Sequence, residues 1–337
     1  MKIRIGTFNL YQFVKPPYSW YTKKEKFNPI QWEEKTSWIK KQIKKMDCDI
    51  IGFQEVFSSK ALKELVQELG FNYFKTVDIA NTSKKNPKVY ISTTVAIASK
   101  YPITKLHTVK PNFKSLKKHD FYDTFSFSRI PIKASITLAN NQDLLVYVAH
   151  LKSNRDNEFE YVFNKSHTLE DKKEQVNKAL EEGFSNSLKQ RLCEASSLFF
   201  NIKKTIDTPT IFLCDLNDKE FSITIDALTN EKYHDENSLE DLHLLDANNL
   251  FEKEVYNPHP EATQEERTPT SYFVGKGNVL DYIFVSKHFD KNEKEHISKV
   301  SSYEIFNEHL ENNHDGSLLQ SDHAQVVCEL IFNEKNQ

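Results

Sequence analysis

Short runs of apolar, often β-branched residues recur along the whole chain and are typical of buried strands. Segments with helical periodicity separate some of these runs, whereas other runs follow one another almost directly. This mixture excludes a purely doubly wound fold and predicts mixed sheets with helices outside. The predicted strands are Ile3–Leu10, Ile50–Val56, Tyr73–Ile79, Val89–Ser99, Ile130–Leu138, Leu144–Ala149, Thr210–Cys214, Leu280–Ser286 and Ala324–Phe332.

Three segments place apolar residues on one side of a helix and charged residues opposite. They are Gln31–Lys45, Ser58–Leu69, for which Ser58 is the predicted cap, and Ser187–Ile206. The least regular stretches are predicted to be surface loops: Tyr11–Pro29, Thr82–Lys88, Asn154–Gly183, Glu231–Glu240 and Asn257–Pro269. The chain has no internal repeat and no linker rich in Pro, Gly or Ser. We therefore predict one domain over residues 1–337.

Composition narrows the class of protein. The 337 residues are 38% hydrophobic and 28% charged, which supports a large core and excludes disorder by composition. The apolar runs are shorter than the roughly 20 residues of a membrane span, and MKIRIGTFNL does not resemble a secretory signal. The four cysteines have no CxxC spacing, which favours free thiols and a cytoplasmic location. Neither GxGxxG nor GxxxxGK[ST] occurs, and the net charge of −3 supplies no general attraction for nucleic acid.

Polar residues border the predicted strands at defined ends. Those at or just after a strand end are Asn9, Glu55, His150, Asp215 and Asn217, and those that precede a strand are Asp281, Asp322 and His323. If the last strands run antiparallel to their neighbours, all of these side chains meet at one edge of the structure. The sequence therefore predicts one polar site built from distant segments.

The predicted site combines four carboxylates with amides and two imidazoles. Hard oxygen ligands favour Mg²⁺ or Mn²⁺, whereas zinc would recruit more histidine or cysteine. A metal that binds a phosphate beside histidines can catalyse phosphoester hydrolysis. Taken singly, each residue has an ordinary explanation as a turn former, a helix-terminal charge or a strand cap, but their combination favours function.

At these residues the sequence resembles the endonuclease/exonuclease/phosphatase superfamily, which includes pancreatic-type deoxyribonucleases and abasic-site endonucleases. Seven blocks match in the family order: Gly6-Thr7-Phe8-Asn9-Leu10, Gln54-Glu55-Val56, Ser128-Arg129-Ile130-Pro131, His150-Leu151-Lys152-Ser153, Asp215-Leu216-Asn217-Asp218, Leu280-Asp281-Tyr282-Ile283 and Ser321-Asp322-His323. The resemblance implies a four-layered α/β sandwich, in which two mixed, mainly antiparallel sheets pack face to face with helices outside.

The resemblance also implies a role for each residue. Glu55 and Asn9 would hold the cation, and Asp322 would complete its shell directly or through water. Asp215 and Asn217 would orient the attacking water, and Asp281 would orient His323. His323 would either remove the water proton or stabilise the transition state, because Asp215 is a competing base. His150 would hydrogen-bond a phosphoryl oxygen or protonate the leaving group, and Arg129 would bind the phosphate together with Asn9.

The matched blocks leave the substrate open. His150 and Ser128-Arg129 are similar to the deoxyribonuclease arrangement, so nucleic acid is the first choice and the enzyme is interpreted as a magnesium-dependent nuclease or other phosphodiesterase. Tyr11 replaces the aspartate of many abasic-site endonucleases, and Asp281-Tyr282 lacks the arginine of the inositol-polyphosphate phosphatases. The alternatives are a phospholipid or small-molecule phosphodiesterase or phosphatase on the same fold, and an inactive scaffold. No obligate protein partner is evident.

Overall fold

Two six-stranded sheets lie face to face in the computed structural model of the chain, which describes residues 1–121, 124–154, 161–183, 186–238, 244–251, 267–311 and 317–333. The strands are β1 (Lys2–Phe13), β2 (Ser19–Trp20), β3 (Ile50–Val56), β4 (Tyr73–Lys75), β5 (Thr82–Ser83), β6 (Asn86–Tyr90), β7 (Thr94–Ser99), β8 (Ile103–Thr108), β9 (Ile132–Thr137), β10 (Asp143–His150), β11 (Thr210–Asp215), β12 (Leu244–Asp246), β13 (Ser271–Phe273), β14 (Lys276–Asn278), β15 (Asp281–Ser286), β16 (Ser298–Phe306) and β17 (Gln325–Phe332). The helices are α1 (Pro29–Met46), α2 (Ser59–Glu68), α3 (Phe113–Lys118), α4 (Leu169–Glu181), α5 (Asn186–Lys203), α6 (Ile223–Thr229), α7 (Glu231–His234), α8 (Ala247–Leu250) and α9 (Glu308–Glu311), with a 3₁₀ turn at Lys287–Phe289.

The two large sheets have the same plan. The first sheet has the order β16-β17-β1-β3-β7-β4, and the second has the order β12-β15-β11-β10-β9-β8. Each contains one central parallel pair, β1 with β3 and β10 with β11, while every other neighbour is antiparallel. The late strands β15 and β17 thus run against β11 and β1, as the predicted convergence requires.

Apolar residues form a core between the two sheets and a further core on the outer face of each sheet. Ile5, Val148 and Leu213 belong to the core between the two sheets. Ile39 of α1 and Leu62 of α2 belong to a core on the outer face of the first sheet, and α4, α5 and α6 cover the second sheet. The predicted four-layered α/β sandwich is therefore confirmed.

Close packing between the sheets requires a glycine. A Cβ atom on Gly52 of β3 would lie 3.0 Å from Cβ of Leu213 and 3.0 Å from Cγ1 of Val148. Both of these residues belong to the second sheet, so the two sheets can pack closely here because β3 carries no side chain at this position.

Several elements differ from the pattern-based predictions. Val89–Ser99 was predicted as one strand, but Ile91–Thr93 divides it between β6, in a small sheet, and β7. The stretch 154–183 was predicted as a loop but contains α4. This helix has few apolar residues, and the capping box formed by Thr168 and Asp171 stabilises its first turn. Strands β8 and β16 were missed because both lie at sheet edges and alternate poorly. Part of the predicted loop Glu231–Glu240 and most of Asn257–Pro269 lie outside the described residues.

Two further observations bear on the class of protein. In the described ranges, no helix combines the length and the apolar character needed to cross a membrane. All four cysteines, Cys48, Cys193, Cys214 and Cys328, are buried free thiols, as their spacing predicted.

Candidate active site

Asp215 lies at the centre of a buried polar cluster at one edge of the sandwich. It is the last residue of β11, and its side chain is fully buried. Its Oδ2 atom accepts a hydrogen bond of 2.9 Å from Nδ2 of Asn9, and its Oδ1 atom accepts one of 2.8 Å from the backbone N–H of Asn217. Burial raises the pKa of Asp215 to about 6, although the charge of His323 opposes this rise. The carboxylate of Asp215, at the end of a second-sheet strand, thus accepts a hydrogen bond from Asn9 of the first sheet.

His323 is held between carboxylates. Its Nδ1 atom is 2.8 Å from Oδ2 of Asp281, and its Nε2 atom faces Oδ2 of Asp215 at 3.9 Å and Oδ1 of Asp322 at 4.0 Å. Burial by itself would lower the pKa of His323, but the charges of Asp281 and Asp215 outweigh it and hold the pKa well above its usual value. The imidazole is therefore cationic, with Nδ1–H donated to Asp281.

His150 approaches the same carboxylate from the neighbouring parallel strand. Its Nε2 atom is 3.4 Å from Oδ2 of Asp215, and the two residues are register partners at the ends of β10 and β11. Burial lowers the pKa of His150 well below its usual value, and the charges of Arg129 and His323 add to the effect. One site therefore contains a neutral imidazole and a cationic one.

Glu55 and Asp322 lie on the first-sheet side of the site. Oε2 of Glu55 accepts a 2.9 Å hydrogen bond from the backbone N–H of Gln12, and Oδ1 of Asn9 accepts one of 3.0 Å from the N–H of Tyr11. Tyr11, Gln12 and Glu55 all have left-handed backbone conformations, with φ of 47°, 60° and 57°. Strain of this kind is concentrated at functional sites, where the surrounding structure maintains it.

The donor set fits a divalent cation. Oδ1 of Asp322 is buried without a hydrogen-bond partner among the described residues. Burial raises the pKa of Asp322 to about 7, with His323 opposing and Glu55 adding to the rise. Two carboxylates that repel each other beside an amide oxygen suit a hard cation. Asp215, Asp281 and His323 form a second compact group whose ligand atoms lie within 4.8 Å of one another, and it too could bind a metal.

Lys35 of α1 also faces this region, and sequence reasoning missed it. Its side chain is fully buried, and Nζ donates to the backbone carbonyls of Leu318 and Gln320 at 2.9 and 2.8 Å. Burial lowers the pKa of Lys35 to about 7, while the carboxylates of Asp322 and Glu55 oppose this shift. Lys35 therefore anchors the segment that leads to Asp322. In the sequence it is indistinguishable from the solvent-facing lysines of the same helix.

Asn217 and Arg129 share one acceptor. Nδ2 of Asn217 and Nη1 of Arg129 each donate a 3.0 Å hydrogen bond to the carbonyl of Leu151. Asn217 has a left-handed φ of 51°, so the backbone leaves the extended conformation of β11 at this residue. Its side chain connects the strand-end segments after β10 and β11, and Arg129 lies directly beside the cluster.

Two buried charged residues of α5 hold the surrounding segments. The carboxylate of Glu194, which is 1% exposed, accepts the backbone N–H of Ser128 at 2.7 Å and that of Lys152 at 2.8 Å. Arg191 donates to the carbonyl of Lys152 at 3.2 Å and lies 3.3 Å from Oδ2 of Asp218. The helix therefore fixes the segments that carry Arg129, Lys152 and Asn217. In the sequence, the only indication of this role was that Arg191 and Glu194 are charged residues within the apolar face of a predicted helix.

The aromatic stretch from Tyr11 to Trp32 mainly forms packing contacts. Trp32 packs against Phe13, with ring centroids 4.8 Å apart, and Trp20 packs against Phe27 at 5.0 Å. Tyr21 differs, since it is 51% exposed and has a left-handed φ of 55°. Charges on both Glu55 and Arg129 act on its hydroxyl, so Tyr21 lies near both of them.

The structure thus brings all of the predicted site residues together at one edge of the sandwich. Asn9, Glu55, Asp322 and His323 come from segments of the first sheet. His150, Asp215, Asn217 and Asp281 come from the second sheet, and Arg129 lies in the segment before β9. Asp215 and Asp281 are direct register partners.

This cluster of carboxylates and imidazoles, formed by both sheets, is the candidate active site. The family model of the endonuclease/exonuclease/phosphatase family matches residues 6–323. The chain belongs to this family. Its members hydrolyse phosphoesters and use divalent metal ions.

Solved structures share the fold at low sequence identity. The human nocturnin catalytic domain with bound sulfate is 16% identical, with a TM-score of 0.58 and coverage of 98% of this chain and 94% of that one. Humanized D. rerio TDP2 is 13% identical, with a TM-score of 0.53 and coverage of 98% of this chain and 99% of that one. The Bacteroides thetaiotaomicron mannosyl-6-phosphatase Bt3783 is 16% identical, with a TM-score of 0.50 and coverage of 98% and 100%. No curated protein sequence matched the chain.

Proposed function

We propose that the protein is a divalent-metal-dependent hydrolase that cleaves phosphoesters by attack of water. The observation that carries the proposal is the arrangement of Asp215, His323 and Asp281, in which one carboxylate and one carboxylate-paired imidazole face each other at 3.9 Å. Such a pair can accept a proton from water on one side and stabilise negative charge on the other.

Asp215 is the proposed acceptor of the water proton. Its Oδ1 and Oδ2 atoms are already oriented by the N–H of Asn217 and by Asn9, so the carboxylate needs no reorganisation during the reaction. As the new P–O bond forms, the bond to the leaving alcohol breaks and the water proton passes to Asp215. Asn217 connects Asp215 to the Arg129 segment through Leu151.

His323 is proposed to act as a donor rather than a base. Three carboxylates surround it, and Asp281 holds its Nδ1–H, so Nε2–H is available for an oxygen of the phosphoryl group or the leaving alcohol. His150 is proposed as the neutral donor to a phosphoryl oxygen, and Arg129 as the cation that binds the phosphate.

Glu55, Asn9 and Asp322 are proposed to hold the cation, with Mg²⁺ or Mn²⁺ as the fitting ions. When bound, such a cation would polarise the phosphoryl group and neutralise developing charge. The buried Oδ1 of Asp322, which lacks a protein donor, supports this assignment.

Nucleic acid, the substrate inferred from the matched blocks, is the first substrate proposal. A small phosphorylated molecule is the second, and two observations favour it. Lys40 and Lys45 of α1 pair with Glu68 and Glu308, so this lysine-rich helix is partly neutralised. A pocket of about 650 Å³, lined by Arg129, adjoins the site and has the size of a small-molecule site.

A substrate panel with Mg²⁺, Mn²⁺ or EDTA tests both the proposed hydrolase activity and the proposed substrate class. It contains bis-p-nitrophenyl phosphate, plasmid, single-stranded DNA, RNA, abasic duplex, phosphoinositides, sphingomyelin and sugar phosphates. We expect cation-dependent hydrolysis that EDTA abolishes. Cleavage confined to small or lipid substrates would exclude the nuclease and leave the hydrolase, whereas no turnover of any member would contradict the proposed function.

Two variants test the assigned residues. We expect His323→Ala and Asp215→Ala each to lower kcat by about a hundredfold or more, the usual scale for a lost acid–base group. His107→Ala, which removes an exposed imidazole from β8, is the matched control and should retain full activity. Normal turnover in both site variants would reject the site assignment.

A further inference from the structure

The pocket beside Arg129 has a lining that the proposed chemistry does not use. Arg129 and Ser128 form its border with the catalytic cluster, because Arg129 shares the Leu151 carbonyl with Asn217. Tyr21 also lines the pocket, near enough to Arg129 and Glu55 for both charges to act on its hydroxyl. A substrate whose phosphate lies at the catalytic residues can therefore extend into this pocket.

The lining is cationic and rich in hydroxyl groups. Among the described residues that line it, three are cationic and none is acidic: Arg129, Lys152 and Lys189. Seven others are serine or threonine: Ser92, Thr93, Thr124, Ser126, Ser128, Ser153 and Ser187. Hydroxyl groups, with the amides of Asn186 and Gln190, match a ligand that both donates and accepts hydrogen bonds.

Arg129 and Lys189 have different neighbours around the pocket. Nη1 of Arg129 donates to the carbonyl of Leu151, beside the candidate site. Lys189 of α5 lies near Phe121, with Nζ 5.3 Å from the centre of that ring. Its 3.9 Å pair with the exposed Asp120 is a weak one, so an incoming anion can replace it. Asn186, at the start of α5, also lines the pocket.

We propose that this pocket binds the non-reacting part of the substrate, a small polyhydroxylated group that carries a second anionic group held by Lys189. The substrate class is then a sugar or cyclitol with two phosphate or comparable anionic groups. One anionic group lies at Arg129 and is hydrolysed, and the other lies at Lys189 and is only bound. Tyr21 and Phe121 offer ring faces to the C–H side of such a group. This inference rests on the proposed function for the identity of the reacting group.

The test measures binding separately from turnover. Matched pairs that differ by one phosphate are titrated calorimetrically into the His323→Ala variant with Mg²⁺ present: fructose 6-phosphate against fructose 1,6-bisphosphate, an inositol monophosphate against an inositol bisphosphate, and AMP against adenosine 3′,5′-bisphosphate. We expect the doubly phosphorylated sugar or inositol to bind about tenfold more tightly or better than its partner, the scale of one charge-assisted hydrogen bond.

Changes at Lys189 identify the pocket. Combined with His323→Ala, Lys189→Ala should remove the difference within the pair and leave the singly phosphorylated member unchanged, while Lys189→Arg should keep most of it. Lys63→Ala, an exposed lysine of α2, is the control for loss of charge. Equal binding within both the sugar and the inositol pairs, a difference in the nucleotide pair alone, or an equal effect of Lys189→Ala on both members would overturn the proposal. If the pairs differ in binding but no member of the substrate panel is hydrolysed, the proposed binding pocket would stand and the proposed hydrolase function would be rejected.

Discussion

His119 is buried and His234 is half-buried, and both have strongly lowered pKa values. Burial lowers the pKa of each to about 3. Lys118 and Lys189 add to the shift at His119. Lys118, His119 and Lys203 add to it at His234, where the hydrogen bond to the carbonyl of Ala227 opposes it. His234 is further held by Nε2, which lies 2.9 Å from the carbonyl of Ala227.

Stability should therefore fall as the pH falls through the range in which an unfolded histidine titrates. In the unfolded chain these imidazoles take up protons near pH 6.5, whereas the folded protein takes them up only near pH 3. The unfolded state binds more protons between these values, so each histidine should cost about 2 kcal/mol of unfolding free energy between pH 7 and pH 5.

Urea unfolding at the two pH values measures this effect. His119→Gln and His234→Gln should each reduce the pH-dependent loss by about 2 kcal/mol, whatever they do to stability at pH 7. His107→Gln, which alters an exposed imidazole, should leave the loss unchanged. The prediction is wrong if all three variants lose as much stability as the wild-type protein.

At the residue scale, the sequence locates groups that border strands and misses groups inside helices. Asp215 and His150 were found because each directly follows an apolar run. Lys35 lies in an amphipathic helix among other lysines, where one charged residue on the inner face has no signature in a single sequence. Glu194 follows Arg191 on the apolar face of α5, and this charged pair is only a weak signal. His119 borders no predicted strand, yet it is only 6% exposed. Whether one such side chain is buried depends on which distant segments of the chain pack against it.

At the scale of the element, α5 connects the core to the site. Glu194 accepts two backbone N–H groups from segments that are not adjacent in sequence, at Ser128 and Lys152. A carboxylate can accept both because both of its oxygens are acceptors. The positions of Arg129 and Lys152 therefore depend on a charge that does not touch the substrate.

Glu194→Gln tests this positioning role. An amide has one acceptor oxygen, so its NH₂ group must face one of the two N–H donors and displace that segment. We expect KM for a phosphoester substrate to rise about tenfold, with a smaller fall in kcat, and the unfolding free energy to fall by about 1–3 kcal/mol. Steady-state kinetics and urea unfolding measure the two effects.

Glu64→Gln, at an exposed position of α2, is the matched control for the loss of one carboxylate. A merely structural role for Glu194 would lower stability and leave KM unchanged. That result would contradict the assignment.

Element prediction succeeded where burial was uniform and failed where it was not. The central strands are buried along most of their length, and β11 has six buried residues in succession. Strand β8 is mostly exposed, and β16 contains a bulge between Val300 and Ser302, so neither has a clear alternation. Ser58 was predicted as a cap for α2, but its hydroxyl accepts from the N–H of Lys15 instead. A tertiary contact thus replaced the local one.

At the scale of the whole molecule, the site depends on how the two sheets are aligned. Gly52 packs against Val148 and Leu213, and these three residues lie two or three positions before Glu55, His150 and Asp215, respectively. The close contact at Gly52 therefore lies within three residues, along each of these strands, of the candidate site.

Gly52→Ala should separate the sheets slightly and lower kcat/KM by about tenfold or more, because small displacements of catalytic groups are costly. Overpacking should also lower the unfolding free energy by about 1–3 kcal/mol. Kinetics below the unfolding transition measure the first effect. Gly6→Ala is the control, since its Cβ would contact Met46 and Cys48 on the outer face of the first sheet. Equal activity of the two folded variants would contradict this account.

The order of strands has a consequence for synthesis. Strand β1 pairs with β17, with Ile5 opposite Cys328, whereas the strands of the second sheet all lie between residues 103 and 286. On the ribosome β1 can pair with β3, and the second sheet can assemble, before β17, the other neighbour of β1, is made. Asp322 and His323 are made just before β17. A nascent chain that stops short of them therefore contains most of the interior but lacks two residues of the proposed site.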